Sequence, residues 1–362
     1  MKYRLKSLKK LLGLTFIVPL AVLLLAACGG GETTSTEGNS EGDAGSEEQT
    51  FKLKMNSMYT KPFEGSPTYL AQEEFANLVK EKTNGRIEIE IFYSNQLAGQ
   101  TESLDALARG TFDLQATTPV AWADKIPEGN WSSMPFAWKS EEHLRYLLRE
   151  TEIGELYTEA LGDYGVKPLH YFFSAGTGYM STSPIGKPED MKGLVMSTVG
   201  NLSGEQYKAM GAGTATIPFA DYYEALLRGT VDAIAFPYYA LESYKLAEVV
   251  DYITTPGTNS PAFGLIAISQ TTWDKLPSDL QDLLMEAALE IEDQMSAASK
   301  AYTKVGLDYA KEQGLEIIEM TDEGYNEFVE IAKETYWAGF AEMNERSKRM
   351  TEITEENLDY QE

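Results

Sequence analysis

The sequence predicts an α/β fold built from two similar lobes, and three observations carry that prediction. Helical and strand-like stretches alternate from about residue 66 to about residue 270. Two segments about 120 residues apart are near copies. Asp105-Ala-Leu-Ala-Arg-Gly-Thr-Phe-Asp-Leu-Gln-Ala116 and Glu224-Ala-Leu-Leu-Arg-Gly-Thr-Val-Asp-Ala-Ile-Ala235 agree at seven of twelve positions. A helical stretch from Ser278 towards Gln313 is long enough to brace both lobes.

The chain opens with Lys2, Arg4, Lys6, Lys9 and Lys10, then the apolar run Leu11 to Leu25 and the small-residue sequence Leu25-Ala-Ala-Cys28. Gly13 and Pro19 interrupt the run, which is short of the ~20 residues that a spanning helix needs. This favours a cleaved leader over a membrane helix. Residues 1–27 are read as a lipoprotein signal peptide, and Cys28 as the lipidated first residue that anchors the mature chain to the cell membrane. Residues 28–50, mostly Gly, Ser, Thr and Glu, form a disordered tether.

Ser66 and Pro67 cap a helix whose Ala71, Phe75, Leu78 and Val79 share one face, and Asn84-Gly85 stops it. Arg86 to Tyr93 alternates apolar and polar residues and reads as a strand. In each copy of the repeat, Gly110 or Gly229 ends a helix and the apolar stretch after Asp113 or Asp232 enters a strand. The copies then belong to opposing lobes. Ligands of open α/β sheets bind beyond the carboxyl ends of strands, so Thr117 to Trp122 and Phe236 to Tyr239 are the first places to look for a site. A capping box of Ser278 and Gln281 opens the long helix, with Leu280, Leu283, Leu284, Ala287 and Ala288 on its apolar side. Leu315 to Met320 reads as a short strand and residues 322–343 as a final amphipathic helix.

Composition excludes several kinds of function. The 30 basic and 56 acidic residues give a formal charge of −26, and loss of the leader removes five of the basic ones. Nucleic acid is therefore a poor partner. Cys28 is the only cysteine, so the folded part has no disulfide and no cysteine nucleophile. His143 and His170 lack metal-ligand spacing, and there is no phosphate-binding Gly-rich loop or serine elbow. The expectation is a non-enzyme without metal or cofactor. Aromatic residues gather near the expected strand ends, at Tyr59, Trp122, Trp131, Phe136, Phe219, Tyr222, Tyr223, Phe236, Tyr238 and Tyr239. Those beside Pro119, Pro218 and Pro237 are the better binding candidates.

A set of motifs resembles the extracytoplasmic solute receptors of tripartite ATP-independent periplasmic (TRAP) transporters, the DctP-type, C4-dicarboxylate-binding family. They are Thr83-Asn-Gly-Arg86, Ser94-Asn-Gln-Leu97, Gly110-Thr-Phe-Asp113, Met134-Pro-Phe136, Lys187-Pro-Glu-Asp-Met-Lys-Gly193, Met210-Gly-Ala212 with Pro218, Gly229-Thr-Val-Asp232 and Trp273-Asp-Lys-Leu-Pro277. The resemblance spans Phe51 to about residue 315. It implies a two-lobed, periplasmic-binding-protein-like clamshell with hinge strands and a long helix spanning both lobes. Lobe I would take residues 51–174 and 263–302, and lobe II residues 175–262 and 303–362. It further implies an extracytoplasmic receptor that closes over a small-molecule ligand and delivers it to membrane permease subunits. The same fold and anchor would serve the ligand-binding subunit of a membrane sensor.

The chain departs from the family where the family grips its ligand. The arginine expected four residues after Gly193 is Ser197, a second basic position falls at about Thr177, and an expected asparagine is Phe236. An organic acid is the ligand that the family implies, but a buried carboxylate without a cation is costly. The residues expected at the ligand are Tyr59, Trp122, Thr177, Ser197, Phe219, Phe236 and Tyr239. With aromatic faces, Ser197 and Thr177 in place of the arginine, a neutral or cationic ligand is the alternative.

Overall fold

The computed structural model describes residues 49–360 apart from 199, 259 and 260. The signal peptide, the lipidation site Cys28 and nearly all of the tether lie outside the described residues. In chain order the strands are β1 (Phe51–Ser57), β2 (Ile87–Phe92), β3 (Leu114–Thr117), β4 (Val166–Phe173), β5 (Thr177–Ser181) and β6 (Val195–Thr198). They continue with β7 (Gly213–Thr216), β8 (Ala233–Pro237), β9 (Tyr252–Thr255), β10 (Phe263–Ser269) and β11 (Glu316–Glu319).

These strands form two mixed sheets, ordered β2-β1-β3-β10-β4 and β11-β9-β5-β8-β6-β7. In the first, β1 runs parallel to β2 and β3, while β10 is antiparallel to β3 and β4. In the second, β6 is parallel to β7 and β8, and β5 is antiparallel to β8 and β9. Helices cover the sheets, so the protein is a two-lobed α/β molecule.

The repeat explains why the lobes look alike. Helix Ser103–Ala108 leads through Gly110 (φ +69°) into β3, and helix Tyr222–Leu227 leads through Gly229 (φ +65°) into β8, in the opposite sheet. The left-handed turn suits glycine, and both copies close it alike, with the amide of Thr111 on the Ala106 carbonyl and that of Thr230 on Ala225. The repeated aspartate pins the neighbouring strand. Asp113 accepts from the Lys54 amide of β1 at 2.8 Å, and Asp232 accepts from the Val195 amide of β6 at 2.8 Å.

The main chain passes between the sheets at Ser174–Gly176, again at residues 256–262, and a third time in helix Ser278–Glu312. The first two passages are bonded together: the Ser174 amide donates to Ala262, and the Thr258 amide to Thr177. The long helix joins them through Thr303, whose hydroxyl accepts from the Gly176 amide at 2.8 Å. Its amino-terminal half buries Leu280, Leu284, Ala287 and Ile291 in the core of the first lobe, and Ala310 lies in that of the second. Gly306 is pressed onto the Tyr238-Tyr239 peptide so closely that a Cβ would come within 2.5 Å of the Tyr238 carbonyl carbon. Among the described residues no helix is long and apolar enough to cross a membrane.

Three expectations need correction. The long helix starts from Pro277 without a side-chain cap; Gln281 instead donates to the Trp273 and Leu276 carbonyls. The last helix is broken, because a π-helical turn (Lys333–Trp337) follows Asp322–Ala332, and a further helix, Glu345–Glu356, begins at the Asn344 cap. That helix does not stay with the second lobe. It returns to the first, where Thr354 accepts from the Trp131 indole at 2.8 Å and Arg349 pairs with Glu152.

His170, on β4, is buried edge-on against Phe75 with 4.8 Å between ring centres. Burial pushes its imidazole down from 6.5 to about 4. Below about pH 6.5 the unfolded chain takes up a proton that the folded chain refuses, so stability falls as pH drops from about 6.5 to about 4. The slope is at most about 1.4 kcal/mol per pH unit for one proton. Urea unfolding at neutral and mildly acid pH should show a smaller acid loss for His170→Phe than for the parent; equal losses would clear His170 of the effect.

Candidate functional site

The two sheets enclose a cavity of about 130 Å³, close to the volume of a cavity known to accept benzene. It lies at the strand ends. From the first lobe come Tyr59 after β1, Thr118 and Val120 after β3, Phe172 at the end of β4, and Phe263 and Gly264 at the start of β10. From the second come Thr177 and Tyr179 of β5, Ser197 of β6, Ala235 and Phe236 of β8, and Phe219, Tyr222 and Tyr239. Helix Asn201–Ala209 adds Ser203, Gln206 and Tyr207; Thr258 and Ala262 come from the second passage, and Tyr336 from the π-helical turn. The residues downstream of both repeat copies therefore face one opening.

The rings pack against one another as walls. Tyr59 meets Phe172 at 5.6 Å and 71°, and Phe236 takes Phe219 at 4.9 Å and 69° and Tyr222 at 5.1 Å and 76°. These edge-to-face contacts set the positive rim of one ring on the negative face of another. Burial raises the hydroxyls of Tyr59, Tyr179, Tyr207, Tyr222, Tyr239 and Tyr336 above their usual range, so all stay protonated at neutral pH.

Six of the seven residues expected at the ligand line this cavity: Tyr59, Thr177, Ser197, Phe219, Phe236 and Tyr239. Trp122 does not. A tight turn, Pro119–Trp122, carries the chain off the end of β3. Thr118 and Val120 thus face the cavity, while the indole enters the hydrophobic cluster and donates to Ser103 Oγ at 2.8 Å. Of the other aromatic candidates, Trp131 and Tyr238 are also tied down elsewhere, Tyr238 by a 2.6 Å bond to the Thr254 carbonyl. Gln206, Tyr207 and Tyr336 escaped the sequence reading. Gln206 sits on the helix that follows the strand of Ser197, which is a usable signal; Tyr336 comes from a distant segment and gives none.

Some polar atoms of the lining are spent within the protein and some are not. On the first side, Ser132 Oγ donates to Gly129 and accepts from the Val120 amide, and Ser174 Oγ donates to Ala262 at 3.0 Å. On the second side, Thr177 Oγ1 and Gln206 Nε2 are buried without a partner. Ser197 Oγ lies close enough to the Tyr222 hydroxyl to offset a little of the burial that raises it, but not in hydrogen-bonding geometry.

Residues 58–343 match the family model DctP, bacterial extracellular solute-binding protein, family 7. The chain belongs to that family. This solute-binding protein is 26% identical over 288 residues to a solute-binding protein of Albidiferax ferrireducens, covering 78% of this chain and 84% of the relative. It is 26% identical over 254 residues, 69% of this chain and 76% of the other, to the 2,3-diketo-L-gulonate-binding periplasmic protein of Escherichia coli. In structure it is similar to a TRAP periplasmic solute-binding protein of Rhodoferax ferrireducens with bound malonate, with a TM-score of 0.79 and 24% identity over 85% of this chain and 100% of that one. A second likeness is the TRAP protein of Desulfovibrio salexigens with bound orotic acid, with a TM-score of 0.79 and 22% identity over 86% and 99%.

A binding surface left unsatisfied costs stability. Thr177→Val keeps the shape of the side chain and removes a buried hydroxyl without a partner, so the ligand-free solute-binding protein should gain about 1 kcal/mol in urea unfolding. A loss of stability instead would show that the hydroxyl is already satisfied.

Proposed function

We propose that this protein captures a small organic molecule in the cavity between its sheets and delivers it, unchanged, to the membrane permease of a TRAP transporter. The observation that carries the reading is the shared opening lined by the residues that follow both repeat copies, Thr118 and Val120 on one side and Phe236 and Tyr239 on the other. A ligand touching both walls favours the state in which they are close. The paired passages at Ser174–Gly176 and 256–262 are the natural hinge. Lobe I is then residues 51–174 with 263–302, and lobe II residues 175–262 with 303 to about 343, the last helix packing back on lobe I.

Hydroxyls, one amide and aromatic rings line the cavity. They offer hydrogen bonds and contact rather than a group that exchanges protons near neutral pH, which supports capture without chemistry. The leader and the small-residue run before Cys28 support removal of residues 1–27 and a lipid on Cys28 that holds the receptor at the outer face of the cell membrane. Tyr59, Thr177, Ser197, Phe219, Phe236 and Tyr239 are the proposed ligand contacts.

Full-length protein purified without denaturant and then unfolded should release a single small molecule in near-stoichiometric amount, and the recovered molecule should rebind without alteration. Release of a chemically converted product, or a ligand whose binding ignores Phe236→Ala, would overturn the reading. Cys28→Ser should move the chain from the membrane fraction to the soluble one.

A further inference from the structure

We propose that the ligand is an uncharged molecule with an apolar face towards the first lobe and hydrogen-bonding groups along the edge that meets Thr177, Ser197 and Gln206. The inference rests on the cavity being the solute site and names the class of molecule that the site selects.

No Asp, Glu, Lys, Arg or His lines the cavity among the described residues. A carboxylate or ammonium placed there would shed its water without meeting an opposite charge, a cost that neutral partners do not recover. The chain's formal charge of −26 adds a field that opposes an anion.

That same field draws a cation in, and aromatic faces can hold one. Around Phe236 the faces are already engaged. Phe236 stands in edge-to-face contact with Phe219, Tyr222 and Tyr244, the last at 5.2 Å and 89°. Each such pair uses a ring face that a cation would need. The wall is packed as apolar surface, not held open as a cage.

The hydrogen-bonding inventory gives the orientation. First-lobe Ser132 and Ser174 have committed their protons to the Gly129 and Ala262 carbonyls. Thr177, Ser197 and Gln206, at 7%, 5% and 2% exposure, retain buried polar atoms with no partner in the protein. Gln206 Nε2 is a donor only and asks for an acceptor such as a carbonyl, ether or hydroxyl oxygen. The two hydroxyls can give or receive. An uncharged amide, ketone, lactone or alcohol satisfies all three without bringing a charge.

The test uses matched probes of one size: benzamide, benzoate and benzylammonium, with valeramide, valerate and pentylammonium as an aliphatic set. Each is titrated by calorimetry into the full-length protein. The amides should bind at least about 100-fold more tightly than their charged counterparts, a difference of about 2.7 kcal/mol. Thr177→Val with Ser197→Ala should weaken the amides by about tenfold or more, as loss of buried hydrogen bonds does. An unfolding curve matching that of the parent confirms that the double variant is folded. A charged probe that binds as tightly as its amide, and loses that affinity in the double variant, overturns the inference and leaves the receptor reading intact. Binding of none of the six, together with no molecule released from native protein, overturns both.

Discussion

The first two passages of the chain between the sheets hydrogen-bond to each other, and the third, the long helix, is tied to them through Thr303 and Gly176. This shared seam ties edge strand β4 of the first sheet to interior strand β5 of the second. Only with β4 and β5 meeting at Ser174–Gly176 can the strand ends of β3 and β8 look into one space. The seam is itself polar backbone in a buried place, and mutual pairing satisfies it. The C-terminal segment reinforces the arrangement: the Tyr336 hydroxyl donates to Asn130 and the Trp337 indole to Pro135.

Each lobe then repeats one local solution. A helix ends in a left-handed glycine, a strand departs inward, and an aspartate carboxylate holds a backbone amide of the parallel neighbour. Two copies of a stable unit, set in opposing sheets, leave their strand ends unpaired with anything but each other and whatever lies between. Function follows from that leftover surface. The chemistry at the strand ends is not shared by the copies: the Ser132 and Ser174 hydroxyls are bonded on one side, while Thr177, Ser197 and Gln206 keep unpartnered polar atoms on the other.

Much of this was legible before any coordinates. The duplicated Ala-Leu, Gly-Thr and Asp positions announced twin units because their spacing encodes a cap and a strand entry. The long helix announced itself by sustained apolar periodicity. Of the residues that line the cavity, Ser197 and Thr177 stood out through positions that matter in the family, and Phe219, Phe236 and Tyr239 through neighbouring prolines that mark loops. Trp122 misled because a single tight turn reverses which side of the chain faces the opening, and composition carries no record of that turn. Helix Glu345–Glu356 went unseen because its buried face is Ser347, Met350, Thr351, Ile353 and Thr354, three of the five polar and hidden among charges. Tyr336 shows the general limit: a side chain delivered from the far end of the chain leaves no local mark.

The contact of Gly306 with the Tyr238-Tyr239 peptide constrains how the lobes can travel. Two main chains touching without side chains between them cannot slide far along the helix axis, since the residues one turn away on the same face, Tyr302, Thr303, Tyr309 and Ala310, all carry side chains. Sliding layers are therefore closed to this molecule. The closure proposed above would then have to tilt about this contact, with the long helix as its axle and a bearing at one residue that only the smallest side chain can occupy.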